Sequence, residues 1–134
     1  MRHSHKQAEL RFYSAAFRKN ETRRKRKFSW ETTPSKPLVE MVKLHRLDRD
    51  TEGKRMLDLG CGDGRHSEYF LNLGYEVVGT DFCKEAISVC RNRFRGKKNM
   101  SFHITDLTEE GSLILFGQFD VVLDCCLGAG ITKS

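Results

Sequence analysis

The chain has 134 residues, of which 38% are hydrophobic and 31% are charged. This length and balance fit one soluble globular domain better than two domains or a disordered chain. No apolar run approaches the roughly 20 residues that a transmembrane helix needs, and the first five residues do not lead into the apolar core of a signal peptide. We therefore expect a cytoplasmic protein with no membrane partner.

The five cysteines are an odd number and contain no C-x-x-C pair. This spacing favours neither a disulfide framework nor a zinc ribbon, so we expect reduced, mostly buried thiols and no metal site. They are Cys61, Cys83, Cys90, Cys125 and Cys126.

The formal net charge of +6 is concentrated at the N-terminus. Ten of the 24 Lys and Arg residues lie within residues 1–30, against only Glu9 and Glu21, whereas the remaining residues include 14 basic and 16 acidic ones. A basic segment on a near-neutral body can bind an anionic partner. We divide the chain into a basic helical extension over residues 1–28 and a domain over residues 29–134.

The part of the chain before the first predicted strand has helical patterns. Apolar residues at spacings of three and four predict an amphipathic helix over residues 7–19, and the charged run over residues 20–27 predicts a solvated link or a helix end. The segment Pro34–Pro37 separates these residues from a second predicted helix. There, Ser35 can cap a second helix with proline in its first turn, and that helix should end before Asp50.

From Arg55 onward, short apolar runs alternate with helical periods, a pattern typical of βαβ units in a parallel sheet. Helices are predicted over His66–Leu73, with Gly74 as the stop, and from Lys84 to Arg95. The four predicted strands are Met56–Leu59, Glu76–Thr80, Met100–Thr105 and Phe119–Cys126. The predicted fold class is α/β, a doubly wound, mostly parallel sheet with a helical N-terminal extension.

The run Asp58-Leu59-Gly60-Cys61-Gly62-Asp63-Gly64 lies directly after a predicted strand and before a predicted helix. Glycines let the backbone turn sharply and approach a ligand closely, and the free N–H groups of the next helix favour a ligand with negative charge. The alternative is a tight turn that needs glycine only for its own geometry.

A second marker is Asp81, which ends the second predicted strand 21 residues after Gly60. At this spacing an acid can accept hydrogen bonds from a ribose. Asp81 could also cap the following helix, and both roles can coexist. Asp106 follows the third strand at the same carboxyl edge, where open α/β sheets bind ligands, although a lone Asp is as readily a turn residue.

The glycine pattern separates two nucleotide classes. The dinucleotide fingerprint G-x-G-x-x-G needs glycine where this chain has Arg65, whereas D-x-G-x-G-x-G is complete from Asp58 to Gly64. Together with Asp81, the run resembles the first motif and second-strand acid of the class I S-adenosylmethionine-dependent methyltransferases, over about residues 30–127. The resemblance implies a Rossmann-like fold and S-adenosylmethionine as cofactor, with S-adenosylhomocysteine as product.

The resemblance also implies which residues hold the cofactor. The glycine turn would wrap its methionine and ribose portions, Asp81 would bind both ribose hydroxyls, and Phe82 would pack on adenine. One acid of the first strand matches the position near the methionine portion, two residues after the third strand match adenine contacts, and the end of the fourth strand faces the methyl group. The implied cofactor-binding residues are Asp58, Gly60, Cys61, Gly62, Gly64, Asp81, Phe82, Asp106, Leu107 and Asp124.

The segment before the first strand is similar to the lead-in of small methyltransferases of the thiopurine and tellurite-resistance type. Ser29-Trp30-Glu31 and Pro34–Val39 carry this similarity, which implies an N-terminal segment over the cofactor and favours a small-molecule acceptor. Trp30 is either a lid residue or a packed aromatic anchor.

No catalytic residue is assigned. A methyl sulfonium is already activated, so the transfer mainly needs alignment of a nucleophile with the methyl carbon, and a base is optional. Surface or core placement explains His66 and His103 more simply than catalysis does. Cys125 and Cys126 are expected to be core thiols.

Folds of this family have seven strands, whereas only the short segment Gly128–Ser134 follows the fourth predicted strand here. The resemblance therefore implies a domain truncated after its fourth strand. Val121-Val122-Leu123 would then be an exposed apolar edge that invites self-association. The terminal residues resemble a phosphate loop only superficially, because Thr132 stands where the Walker pattern needs glycine.

Three functions stay open. The first is methyl transfer to a small molecule. The second is an RNA-directed methyltransferase in which Arg23–Lys27 contacts phosphates, although a solvated face explains such a run as well. The third is a cofactor-binding module without turnover, which the missing strands favour.

Overall fold

The computed structural model describes residues 33–124 and the backbone of residues 130–132. The predicted helix over residues 7–19, the basic run, Trp30 and the cysteines at positions 125 and 126 lie outside the described residues. Three α-helices and one five-stranded sheet make up the described part. No helix within it is long and apolar enough to cross a membrane.

The strands and helices alternate along the chain much as the sequence predicts. In chain order they are α1 (Lys36–Leu44), β1 (Arg55–Leu59), α2 (Arg65–Leu73), β2 (Glu76–Asp81), α3 (Lys84–Arg93), β3 (Met100–Ile104), a 3-10 helix (Ile114–Phe116), β4 (Val121–Asp124) and β5 (Gly130–Thr132). The four predicted strands are confirmed. Helix α3 ends two residues before its predicted end at Arg95, because Phe94 leaves helical geometry and Gly96 turns the chain with φ 84°.

Local signals at the helix ends explain where the helices begin and end. Ser35 has the extended backbone of an N-cap and Pro37 lies in the first turn of α1, where the missing N–H group has no helical partner to lose. Helix α2 is bounded by two glycines in left-handed geometry, Gly64 (φ 84°) and Gly74 (φ 107°). Gly74 is therefore the stop that the sequence predicts.

The strand order β3-β2-β1-β4-β5 brings four parallel carboxyl ends to one edge of the sheet. From β1 the chain proceeds outward through β2 and β3 on one side, whereas β4 pairs with β1 on the other side. In register, Leu59 at the end of β1 lies beside Thr80 of β2 and Asp124 of β4. This reversal of strand order is the crevice where open α/β sheets bind ligands.

The fifth strand is a feature that the sequence did not predict. β5 pairs antiparallel with β4, and Leu123 lies opposite Ile131. The expectation that β4 is an exposed edge is therefore wrong, because β4 lies between β1 and β5. β5 has only three residues and begins with a glycine, which strands disfavour. Its pairing depends on β4 rather than on a local pattern.

The two faces of the sheet are covered differently in the described residues. On one face, α1 and α2 enclose the cluster Leu38, Val42, Met56, Phe70, Tyr75, Val77, Val121 and Leu123. On the same face, α3 packs Ile87, Cys90 and Phe94 against Phe102. The opposite face has Leu57 and Val78 under Phe119, with Leu113 and Phe116 at their margin. The α-helices thus lie on one face, and the 3-10 segment covers the other.

Phe70 provides a test of the main core. Its ring is fully buried and makes edge-on contacts with Tyr69 and Tyr75, at centroid distances of 5.8 and 5.2 Å. Phe70→Ala should lower the free energy of unfolding by about 3–5 kcal/mol through lost burial and a cavity. Urea denaturation measures this, with Leu115→Ala as control, because the Leu115 side chain is 93% exposed. Equal losses in the two variants would contradict this core.

Candidate functional site

The carboxylate of Asp81 joins three segments at the carboxyl edge of the sheet. Its Oδ2 accepts a hydrogen bond from the N–H of Gly62 at 3.0 Å, and its Oδ1 accepts one from the N–H of Cys83 at 2.9 Å. The backbone carbonyl of Asp81 accepts the N–H of Thr105 at 2.9 Å. One residue thus holds together the turn after β1, the start of α3 and the end of β3.

Asp81 retains the capacity to bind a ligand. Burial raises the pKa of its carboxyl, and hydrogen bonds from the N–H groups of Cys83, Gly62 and Phe82 oppose this rise. A carboxylate has about four lone-pair positions, so these backbone donors leave acceptor capacity for a hydroxyl group. The N-cap of α3 is Cys83, not Asp81, and Asp81 accepts the N–H of that cap residue.

The glycine turn has left-handed backbone at three positions. The φ angles are 67° at Gly60, 56° at Gly62 and 84° at Gly64. The N–H of Cys61 donates to the carbonyl of Thr80 at 2.9 Å, which holds the turn against the end of β2. Residues with a side chain rarely adopt such φ values, so the repeated glycines match the geometry that the turn needs.

Gly64 also has a packing role. A Cβ at this position would lie 2.7 Å from Cε2 of Phe94 and 3.1 Å from Sγ of Cys90, both on the α3 side of the turn. The structural explanation for a glycine therefore holds at Gly64. Gly60 and Gly62, by contrast, are partly exposed at the sheet edge.

Asp58 lies behind the turn, with its side chain only 2% exposed. The hydroxyl of Ser67 in α2 donates to its Oδ2 at 2.7 Å. Burial raises the pKa of Asp58 to about 7, the Ser67 hydrogen bond opposes this rise, and the charges of Asp81 and Asp63 add to it. No cationic side chain of residues 33–124 forms a salt bridge with Asp58. The turn is thus flanked by three acids.

The remaining predicted site residues lie at the ends of neighbouring strands. Phe82 and Leu107 are half-buried directly after β2 and in the segment after β3. Oδ1 of Asp106 accepts the N–H and the hydroxyl of Thr108, at 3.0 and 2.6 Å, so this residue forms the turn that the sequence left as an alternative. Asp124 ends β4 in register with Leu59. The fold therefore brings these residues to the edge that carries Asp81.

His66 is a core residue, as expected. Its Nε2 accepts the N–H of Ser35 at 3.4 Å, which connects the start of α1 with the first turn of α2. Burial and the charge of Arg65 lower its pKa to about 4, so the ring is neutral at neutral pH. His103 contacts Ser101 and the ring of Phe116 on the other face of the sheet.

Sequence reasoning missed two residues that support the turn. Ser67 and Cys90 fall on the buried sides of α2 and α3, so their periodicity predicts core positions and nothing more. In the structure, Ser67 holds Asp58, and the thiol of Cys90 donates to the carbonyl of Gly62 at 3.1 Å. No local pattern indicates these contacts, because the hydrogen-bonded residues are 9 and 28 positions apart.

Comparison with known proteins shows a family match over most of the described chain. A family described as "Methyltransferase domain" matches residues 50–133. Ubiquinone biosynthesis O-methyltransferase of Aromatoleum aromaticum is 36% identical over 99 residues, 69% of this chain and 42% of that protein. Magnesium-protoporphyrin O-methyltransferase of Rhodobacter capsulatus is 35% identical over 86 residues, 61% of this chain and 36% of that protein. The chain thus spans about two fifths of the length of these curated relatives.

A solved structure shows the same fold. Magnesium protoporphyrin IX methyltransferase from Synechocystis, crystallised with bound S-adenosylhomocysteine, matches with a TM-score of 0.52 at 23% identity. The match covers 64% of this chain and 39% of that one. These comparisons confirm the fold class and the family resemblance predicted from the glycine run and Asp81. The narrower similarity to the thiopurine and tellurite-resistance type stays a prediction, as do the domain boundary and the RNA contact through Arg23–Lys27.

Asp58 and His66 should give opposite pH dependences of stability. The pKa of Asp58 is higher in the folded chain than its usual 3.8, so its contribution to stability falls as pH rises from about 4 to 7. The pKa of His66 is lower than its usual 6.5, so its contribution grows as pH rises from about 4 to 6.5. In the wild-type chain the two trends partly cancel.

Two variants separate these trends. Relative to wild type, the free energy of unfolding of Asp58→Asn should rise more steeply as pH increases from 4 to 6.5. The free energy of unfolding of His66→Gln should instead fall as pH increases over this range. Urea denaturation at several pH values measures both. From the two shifts, each effect is on the order of 3–4 kcal/mol across its window. A variant whose pH profile runs parallel to that of wild type would show that the altered group does not titrate as described.

Proposed function

The chain belongs to the methyltransferase-domain family, and we propose that it binds S-adenosylmethionine at the carboxyl edge of its sheet and transfers the methyl group to a small molecule. The observation that carries this proposal is the carboxylate of Asp81, held between the N–H groups of Gly62 and Cys83 at the point where strand order reverses.

The ribose is the portion of the cofactor that Asp81 suits best. The two carboxylate oxygens of Asp81 are held in place by backbone N–H donors and keep acceptor capacity. They can therefore accept hydrogen bonds from the two adjacent hydroxyls of a ribose. Asp81 is only 9% exposed. Hydrogen bonds to an ionised acceptor in such a place are shorter and stronger than those between neutral groups.

The charge around the turn favours a cationic ligand. Asp58, Asp63 and Asp81 lie close enough for the latter two to raise the pKa of Asp58. The sulfonium and ammonium groups of S-adenosylmethionine would stabilise these carboxylates, whereas the pyrophosphate of a dinucleotide would add like charge. The same electrostatics therefore support this cofactor over NAD, in agreement with Arg65 at the position where the dinucleotide fingerprint needs glycine.

The adenine would lie between the ends of β2 and β3. Phe82 offers a half-buried ring directly after Asp81, and Leu107 offers a half-buried apolar side chain across from it. Aromatic and apolar surfaces of this kind pack well on a planar base. The turn at Asp106 would border the base, and Asp124 would border the methyl end of the ligand.

The bound cofactor supplies an electrophilic methyl carbon on a positively charged sulfur. A lone pair of the acceptor forms the new bond to this carbon as the carbon–sulfur bond breaks, so the chain's task is to orient the two groups and exclude water. The names of the two curated relatives, both small-molecule O-methyltransferases, support a small-molecule acceptor. Cys61 and Cys90 are reduced thiols, which suits the reducing cytoplasm as the place of action.

Thermal unfolding with S-adenosylhomocysteine tests the cofactor. This reaction product at 100 times its dissociation constant adds about 2.7 kcal/mol of stability, a rise of several degrees in Tm for a domain of this size. NAD at the same concentration should give no rise. Equal rises with both compounds, or a rise with NAD alone, would contradict the proposal. Methyl-labelled cofactor should then carry its label into small molecules rather than RNA.

Asp81→Asn should weaken the binding of S-adenosylhomocysteine. The change removes the charge and one acceptor, and hydrogen bonds to charged groups contribute about 1.5–3 kcal/mol each, so the dissociation constant should rise roughly 10- to 100-fold. Isothermal titration measures this. The matched control is Glu110→Gln, the same change of charge at an exposed loop residue. If both variants bind like wild type, Asp81 does not contact the ligand.

Gly62→Val should abolish binding while leaving a folded chain. Gly53→Val is the matched control, because Gly53 also has left-handed φ (76°, against 56° at Gly62) and lies before β1, with no atom within 4 Å of an added Cβ. Both variants should lose similar stability in thermal unfolding, since both strain the backbone. Only the Gly62 variant should lose the response to S-adenosylhomocysteine. A normal response would mean that the turn is purely structural.

A further inference from the structure

We propose that Cys61 and Cys90 are an oxidation site: they form a reversible disulfide beneath the glycine turn, and this bond weakens binding at that turn. The formation of the disulfide is independent of the proposed function, whereas its effect on ligand binding rests on it. No motif in the sequence marks this pair, because the two cysteines lie on different elements, 29 positions apart in the chain.

Both thiols are buried where α3 packs against the turn. Cys61 lies between Gly60 and Gly62, and Cys90 lies on α3, both within one buried cluster. The Sγ of Cys90 donates to the carbonyl of Gly62, the residue directly after Cys61, at 3.1 Å. An added Cβ on Gly64 would lie 3.1 Å from the same sulfur. The Cys90 thiol therefore lies against the part of the turn that directly follows Cys61.

The surroundings of Cys61 favour its protonated thiol. A hydrogen bond with the Cys90 thiol, then burial, then the carboxylates of Asp58 and Asp81 raise the pKa of Cys61 well above its ordinary value. The thiolate is the reactive form of cysteine, so oxidation at Cys61 should be slow. Cys83 is buried elsewhere, at the start of α3, where its Sγ donates to Oε2 of Glu85 at 3.5 Å.

The proposed oxidant is hydrogen peroxide or another two-electron oxidant of that class. One thiol loses its proton, and the thiolate sulfur attacks a peroxide oxygen: the S–O bond forms, the O–O bond breaks, and the released hydroxide takes up that proton and leaves as water, so the sulfur becomes a sulfenic acid. The second thiol then attacks the sulfenic sulfur, the S–S bond forms and a second water leaves. Two thiols thus supply the two electrons that reduce the peroxide, and a dithiol reductant reverses the reaction by thiol–disulfide exchange.

The disulfide would act on the turn through two local changes. Cys90 would lose its S–H donor, so the carbonyl of Gly62 would lose its hydrogen-bond partner on the α3 side. The new bond would also draw Cys61 towards α3 and shift the neighbouring N–H of Gly62 relative to Oδ2 of Asp81. Because Gly62 and Asp81 are the centre of the proposed cofactor site, binding should weaken.

The first readout is the bond itself. The chain is treated with hydrogen peroxide in a background in which Cys125 and Cys126 are replaced by serine, and non-reduced peptides are mapped by mass spectrometry. The expected result is a peptide pair that joins Cys61 to Cys90 and disappears after dithiothreitol. Absence of this pair, or a link through Cys83 instead, would overturn the proposal whether or not the chain binds a cofactor.

The second readout is the affinity for S-adenosylhomocysteine. Oxidation should raise the dissociation constant at least tenfold, and dithiothreitol should restore it. Cys90→Ala should bind more weakly than wild type but show no response to peroxide, and Cys83→Ser should respond as wild type does. Cys61→Ser serves in place of Cys90→Ala if the latter does not fold. An affinity that is unchanged in the linked protein would overturn the effect on binding. Failure of the reduced wild type to bind would instead contradict the proposed function.

Discussion

The carboxylate of Asp81 is the constraint on which the candidate site depends. Burying a charge is costly unless hydrogen bonds compensate it, and here the N–H groups of Gly62 and Cys83 do so, at 3.0 and 2.9 Å. The Gly62 bond, together with the bond from the N–H of Cys61 to the carbonyl of Thr80, determines where the glycine turn lies relative to the end of β2. A ligand that replaces water at this edge therefore meets an acceptor already held in place, and little of its binding energy is used to order the carboxylate.

The acids behind and beside the turn would favour one class of ligand over another. Glycine turns at the carboxyl edge of a parallel sheet serve several nucleotide classes, and their shape alone does not separate them. In this chain, Asp58 is buried without a cationic partner among residues 33–124, and its pKa is raised to about 7. A positively charged ligand would stabilise the ionised form, whereas a pyrophosphate would oppose it. Charge therefore adds specificity that backbone geometry lacks.

The glycine turn is held from two sides, so its ligand side and its α3 side are connected through one residue. On the ligand side, Asp81 holds the N–H of Gly62; on the α3 side, the Cys90 thiol holds the carbonyl of the same residue. A change in either partner alters the position of Gly62. Because protein interiors are tightly packed, the proposed bond between Cys61 and Cys90 would move this residue. Under the proposal, oxidation of thiols beneath the turn would thus weaken cofactor binding.

Features that depend on near neighbours could be predicted from the sequence: the four parallel strands, the glycines at left-handed positions, and Asp81 at the end of β2. Strand and helix periods and turn residues are local, so they can be read without the fold. The packed structure was needed to show that β5 covers β4, that Gly64 is required by Phe94, and that Cys90 holds Gly62. It also decided the raised pKa of Asp58 and the contact between Ser35 and His66, 31 positions apart. Burial and long-range contact are properties of the packed chain, and no window of sequence contains them.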